Sequence, residues 1–247
     1  MPNPIIKMMK DVSDGFVTKK EKLDDIPFRT LICGRSGLGK TNLIASLIAL
    51  PQNYGNNFKG ENIYIFTPLV NDFKMKQLIK FKEIPDENVF TEFSDDVLDS
   101  IYDDIVDDFE MHVIDKKRPP NKLIILDDVS FSNKLASKKN ALNRCMMNLR
   151  KHGGSIIVST QKYSMLSTGI RCNASSIFFY NSSMKEKELF ELDANYIGNR
   201  KGFFKMLSDN LTTKRDFIYC NFTSENVKDM YMDKNFNIID IEKYKLK

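Results

Sequence analysis

The 247-residue sequence predicts an α/β fold in which helices flank a central, mostly parallel sheet. Short runs too apolar to be half exposed alternate along the chain with amphipathic stretches, the rhythm of successive βαβ units. A glycine-rich turn joins the first such run to the first helical stretch in "LICGRSGLGKTNLIASLIAL", residues 31–50. With 42% hydrophobic residues, the chain is long enough to bury one large core.

The elements follow in order. Residues 1–26 are charged and mixed, and read as a surface lead-in that covers a sheet edge. "FRTLICG" is a strand, "KTNLIASLIAL" a helix that Pro51 stops, and "NIYIFTPL" a second buried strand, so residues 28–68 have the length of a βαβ unit. "NDFKMKQLIKFKEI" reads as a helix. In "FSDDVLDSIYDDIVDDFEMHVI", Val97, Ile101, Ile105 and Phe109 share one stripe at four-residue steps, with aspartates elsewhere. That pattern predicts a core-packed helix with a solvated acidic face; a metal-binding role for the acids is the alternative. After the "RPP" breaker, "KLIILDDV" is a strand inside a parallel sheet. Residues 132–151 read as a basic helix, "SIIVSTQ" as a buried strand ending at Gln161, and "SSIFFY" as a further strand. "MKEKELFELD" and "GNRKGFFKMLSDNL" look helical and "RDFIYCNF" looks like a strand, completing a domain over residues 27–222. The tail, residues 223–247, either forms an edge hairpin around "DKNF" that closes the sheet edge or docks to a neighbour.

The formal net charge of +4 mixes many charges of both signs, so the balance requires no partner of strong opposite charge. Cys33, Cys145, Cys172 and Cys220 stand far apart, without a CxxC pair or a histidine at ligand spacing. That argues against a zinc site and a disulfide framework, and for a reducing compartment. No apolar stretch reaches about 18 residues, and the N-terminus has no leader-like segment, so the expectation is a soluble chain with no integral membrane segment.

Gly34, Arg35, Ser36, Gly37, Leu38, Gly39, Lys40 and Thr41 spell "GRSGLGKT", which satisfies the P-loop pattern G-x-x-x-x-G-K-[ST]. Glycines let successive backbone N–H groups turn inward onto phosphate oxygens, and the following helix adds its positive end. Lys40 supplies a mobile charge for the β- and γ-phosphates, and the Thr41 hydroxyl suits Mg²⁺. The ligands expected are therefore ATP and Mg²⁺. Asp127 and Asp128 end an apolar strand, where Asp127 would hold Mg²⁺ through water and Asp128 would take a proton from the attacking water. The competing reading makes an aspartate the cap of the next turn. Gln161 either senses the γ-phosphate or bonds backbone at the start of a loop.

In the basic helix, Lys134, Lys138, Lys139, Arg144, Arg150 and Lys151 carry charge with no acid among them. An anion nearby, either a DNA backbone or the nucleotide of an adjacent subunit, would compensate it; an ordinary lysine-rich surface is the alternative. Arg171, in "GIRCN", is the other arginine placed for such work.

The succession of "GRSGLGKT", "LIILDD", "NLRKHGGSIIVSTQ" and "GIRCN" resembles the FtsK-HerA superfamily, over residues 26–180. Within it the chain is most similar to the viral genome-packaging ATPases of poxviruses, other large DNA viruses and virophages. The resemblance implies a RecA-like, additional-strand P-loop NTPase core that forms a homo-oligomeric ring, a hexamer. It would pump double-stranded DNA, with low sequence specificity, into a capsid through a capsid or portal partner. The place of action would be virus assembly sites in the host cytoplasm, with virion association. Lys40, Thr41, Asp127, Asp128 and Gln161 inherit the nucleotide roles, and Arg150 or Arg171 that of a finger acting across the subunit interface. Asp128 is a departure, since many relatives carry Glu there. Two rival readings remain. A nucleotide kinase shares the size and the P-loop but needs an arginine-rich lid, of which no cluster gives a sign. A partition-type ATP-dependent DNA-binding switch has a signature lysine where Arg35 stands.

Overall fold

The computed structural model describes residues 15–128 and 140–245. Its sheet has eight strands in the order β3-β2-β4-β5-β1-β6-β7-β8. The strands are β1 (Arg29–Cys33), β2 (Ile63–Phe66), β3 (Val89–Phe90), β4 (Lys122–Leu126), β5 (Gly154–Thr160), β6 (Ser176–Tyr180), β7 (Phe217–Asn221) and β8 (Tyr231–Met232). From β3 across to β6 every pairing is parallel, and β7 is antiparallel to both β6 and β8.

Strand residues alternate between two cores, as the two-residue period of a strand requires. On one face Ile32, Leu123, Ile125 and Ile157 pack under α1 (Lys40–Ala49) and α2 (Phe73–Lys82). On the other face Leu31, Ile124, Leu126, Ile156 and Val158 meet α3 (Asp95–Ile114) and α4 (Ala141–Asn148). The short α5 (Thr168–Cys172), α6 (Met184–Ala194) and α7 (Arg200–Asn210) complete that layer. Burial on both faces explains why β4 and β5 read as unbroken apolar runs.

Several details differ from the sequence-based expectation. The buried side of α3 consists of Leu98, Ile101, Tyr102, Ile105 and Phe109, with Val97 only half buried. A strict four-residue step drifts off a stripe whose true period is 3.6. The basic helix is shorter among the described residues: α4 begins at Ala141, capped by the Asn140 side chain, and Leu149–His152 is a 3₁₀ turn. Lys134, Lys138 and Lys139 lie outside the described residues. Arg144 is not uncompensated, because α3 supplies the acids: its guanidinium pairs with Asp99 at 3.1 Å and Asp103 at 2.7 Å, and sits 4.1 Å over the Tyr102 ring. Asp99 and Asp103 keep 43% and 58% side-chain exposure while pairing with Arg144, so the acidic face of α3 is solvated and partly neutralised by α4. The edge strand β3 has only two residues, too few to show an alternating pattern.

The described segments that precede β1 and follow β7 pack onto the sheet. Thr18 and Ile26 exchange backbone hydrogen bonds of 2.8 and 2.9 Å, and Leu23, Asp24 and Ile26 are buried. Asp24 accepts hydrogen bonds from Ser175 Oγ (2.6 Å) and Tyr219 OH (2.9 Å). In the tail, β8 pairs with β7, and a bridge between Met232 and Ile238 closes a turn over residues 233–237.

Candidate functional site

All six parallel strands end at one edge of the sheet, and β5 lies between β1 and β4. This order collects the loop after β1, the acids after β4 and Gln161 after β5, which is where open α/β sheets bind ligands.

The loop is held in place by close backbone packing. Gly34 N–H donates to Thr160 O at 3.0 Å, and a Cβ at Gly34 would stand 2.7 Å from Tyr180 Cβ, so only glycine lets the chain lie this close to β6. Gly37 and Gly39 have φ of 80° and 103°, a left-handed backbone that side chains resist. Gly39 caps α1, which makes Lys40 and Thr41 its first residues and aims the helix N-terminus into the loop. Lys40 is only 6% exposed. Its Nζ bends back over the loop, 3.4 Å from Arg35 O and 4.0 Å from Asp128 Oδ1.

Asp127 is completely buried. Its Oδ2 accepts the Thr41 hydroxyl at 2.9 Å, whereas its Oδ1 has no hydrogen-bond partner among the described residues. Burial pushes the Asp127 pKa up, and the Thr41 hydrogen bond pulls the other way. A buried, unsatisfied carboxylate oxygen beside a hydroxyl is a hard-oxygen donor set, which fits Mg²⁺. Asp128 has a left-handed backbone, φ 47°. Gln161 Nε2 donates to both of its carboxylate oxygens, at 3.0 and 3.1 Å.

Lys40, Thr41, Asp127, Asp128 and Gln161 therefore meet, although 86 residues separate Thr41 from Asp127 and 33 separate Asp128 from Gln161. Arg150 and Arg171 do not join them. Arg150 is exposed in the turn that leads into β5, at the opposite end of the strands. It lies close enough to Arg29 to lower that group's pKa, second to burial. Arg171 is committed inside the chain: Nε to Asp193 Oδ2 at 2.7 Å, Nη1 to Leu166 O at 2.7 Å, and the guanidinium 5.3 Å from the Tyr163 ring centre.

A cavity of about 700 Å³ opens over the loop. Besides Ser36, Gly37, Leu38, Gly39, Lys40, Thr41 and Asp128, its lining includes Leu69, Asp72 and Lys74 after β2, and Tyr180, Arg215, Phe217, Lys234 and Phe236. The sequence does not place Tyr180, Arg215, Phe217, Lys234 and Phe236 at the site, because no spacing ties them to residues 34–41.

A protein-family model described as "Poxvirus A32 protein" matches residues 16–225 of the chain. The fold is similar to the genome packaging NTPase B204 of Sulfolobus turreted icosahedral virus 2 in complex with sulfate. That match has a TM-score of 0.55 at 16% identity and covers 84% of this chain and 95% of that one. B204, the DNA-packaging ATPase of Sulfolobus turreted icosahedral virus, superposes with a TM-score of 0.55 at 15% identity over 84% of this chain and 97% of that one. The cytoplasmic domain of the type VII secretion ATPase EccC from Thermomonospora curvata reaches 0.50 at 13% identity, covering 80% of this chain and 23% of that one. The shared feature is the P-loop NTPase fold. No curated protein matches the chain by sequence.

Proposed function

The chain belongs to the poxvirus A32 protein family, and from that premise we propose that it is an ATPase motor that drives double-stranded DNA into a viral capsid. The observation that carries this reading is the convergence of Lys40, Thr41, Asp127, Asp128 and Gln161 at the ends of β1, β4 and β5.

In this reading the loop N–H groups of residues 34–41 and the Lys40 ammonium bind the β- and γ-phosphates. Thr41 and, through water, Asp127 with its unpartnered oxygen would hold Mg²⁺, which would neutralise charge on the phosphate oxygens. Asp128 accepts the proton of the attacking water. Gln161, which donates to both Asp128 oxygens, links that carboxylate to the strand beside the P-loop strand and so senses whether the γ-phosphate is present. The 4.0 Å contact between Lys40 and Asp128 is one that a γ-phosphate would compete for.

Arg150 and Arg171 do not reach the loop of their own chain, so either of them, if it stabilises the transition state, acts from a neighbouring subunit. Arg150, exposed, is the better candidate; Arg171 is held by Asp193. This supports a homo-oligomeric ring, for which we propose a hexamer. The ATPase domain is assigned to residues 27–222, with residues 1–26 and 223–247 as accessory segments and a capsid or portal component as partner. Among the described residues no helix is long and apolar enough to cross a membrane, and the proposed setting is viral assembly sites in the host cytoplasm, with virion association.

Subunit mixing tests the reading. Arg150→Ala and Asp128→Asn proteins should each be inactive in ATP hydrolysis, and their mixture should recover part of the activity by pairing an intact carboxylate with an intact arginine across one interface. Full activity in Arg150→Ala alone, or no recovery at any mixing ratio, contradicts it.

A further inference from the structure

The cavity over the P-loop has two unlike ends. At one end Asp128, to which Gln161 donates, stands on the β4 side of β1; at the other, Tyr180, Phe217, Lys234 and Phe236 stand on the β6, β7 and β8 side. If the loop binds a nucleotide as proposed above, a γ-phosphate held at the acids leaves the nucleoside at the other end. That end is lined by aromatic rings and by cations from segments outside the P-loop.

We propose that the C-terminal hairpin around β8 forms the nucleoside-binding wall of the site, with Phe236 stacking on the base. Three observations bear on Phe236. First, its ring is half exposed at the cavity and backed by Phe178, Phe217 and Tyr219, with centroids 6.2, 6.2 and 5.8 Å away. It is thus a braced aromatic surface with one side open. Second, Phe236 has φ 59°, a left-handed backbone that a bulky aromatic adopts only when its surroundings impose it. The turn imposes it: Asp233 Oδ1 accepts from Asn235 N–H and Asn237 N–H at 2.8 and 2.9 Å, and Phe236 N–H donates to Asp233 O at 2.9 Å. Third, the turn is clamped to the sheet, since Lys234 Nζ lies 2.7 Å from buried Asp216 at the entry to β7. Beside that clamp Arg215 lines the same end of the cavity, exposed and without an ion pair among the described residues. Braced aromatic rings next to a cation are what a planar base attached to a phosphate chain requires.

The test separates nucleoside binding from phosphate binding by calorimetric titration of ADP and of inorganic pyrophosphate. Phe236→Gly removes the ring while suiting the left-handed backbone, and Phe236→Leu keeps apolar bulk to guard the fold. In both variants ADP should bind about tenfold more weakly, the order of one lost base–aromatic stack, with pyrophosphate unchanged. Lys40→Ala should weaken both ligands. Wild-type ADP affinity in both Phe236 variants overturns the proposal, as does equal loss of ADP and pyrophosphate. A Lys40→Ala protein that binds both ligands like the wild type instead overturns the phosphate-site reading on which the proposal rests.

Discussion

Asp127 and Asp128 are adjacent in sequence but meet opposite surroundings. Asp127 is sealed from water with one oxygen unpartnered, whereas the Asp128 side chain is 20% exposed and has both oxygens satisfied by Gln161. A buried carboxylate with one oxygen left unpartnered costs stability in the absence of a cation, even though Thr41 satisfies the other oxygen. Ser159 Oγ, itself buried and unpartnered, is close enough to act on Asp127 and would accept a hydrogen bond from an amide there. Asp127→Asn should therefore raise the thermal midpoint of the nucleotide-free, metal-free protein by roughly 2–4 °C, about 1 kcal/mol for a chain of this size, while abolishing hydrolysis. Thermal melts in EDTA check this, and a lowered midpoint contradicts it. The residue types were legible because a P-loop followed by an acid-ended strand constrains the chemistry. The Asp128–Gln161 clamp was not, because it depends on the left-handed backbone of Asp128, which no spacing encodes.

At the scale of elements, strands buried on both faces announce themselves as apolar runs, so β1, β2, β4, β5 and β6 could be read directly. Pairings between elements could not. The acids that neutralise Arg144 come from α3, 41 and 45 residues away, and the two-residue β3 carries no pattern. The hairpin that follows β7 was anticipated around "DKNF", but the contact that clamps it to the sheet is again between elements. Burial alone would raise the Asp216 pKa, but hydrogen bonds from Lys234, Thr213 and Thr212 outweigh it and hold the carboxyl well below its ordinary 3.8. A depressed carboxyl pKa means that the unfolded chain binds the proton more tightly. The stabilisation is then complete above pH 3.8 and is lost as pH falls toward the folded-state value. Lys234→Met should lower the thermal midpoint at pH 7, and the gap to the wild type should narrow as pH drops below 3.8. A gap independent of pH places the effect elsewhere than in this ion pair.

For the whole molecule, the strand order is the decisive fact. Placing β5 between β1 and β4 makes Gln161 a neighbour of both the loop and the acids, and it leaves Arg150 at the far end of the sheet. A subunit built this way gathers Lys40, Thr41, Asp127, Asp128 and Gln161 but neither candidate arginine at its own loop, and the proposal for an arginine acting across subunits rests on that. The sequence indicated a ring only through family resemblance, since nothing in composition or periodicity reports how copies meet. Coupling to DNA is the central claim. Contacts to phosphates release counterions, so DNA-dependent activity should fall steeply with salt and vary little with base sequence. The most direct measurement is steady-state ATP hydrolysis with and without long double-stranded DNA at about 50 and 200 mM salt, the range over which phosphate contacts weaken strongly, with Asp128→Asn protein as control. The account predicts strong stimulation at the lower salt, its loss at the higher, and no hydrolysis in the control; hydrolysis indifferent to DNA at both salts would contradict it.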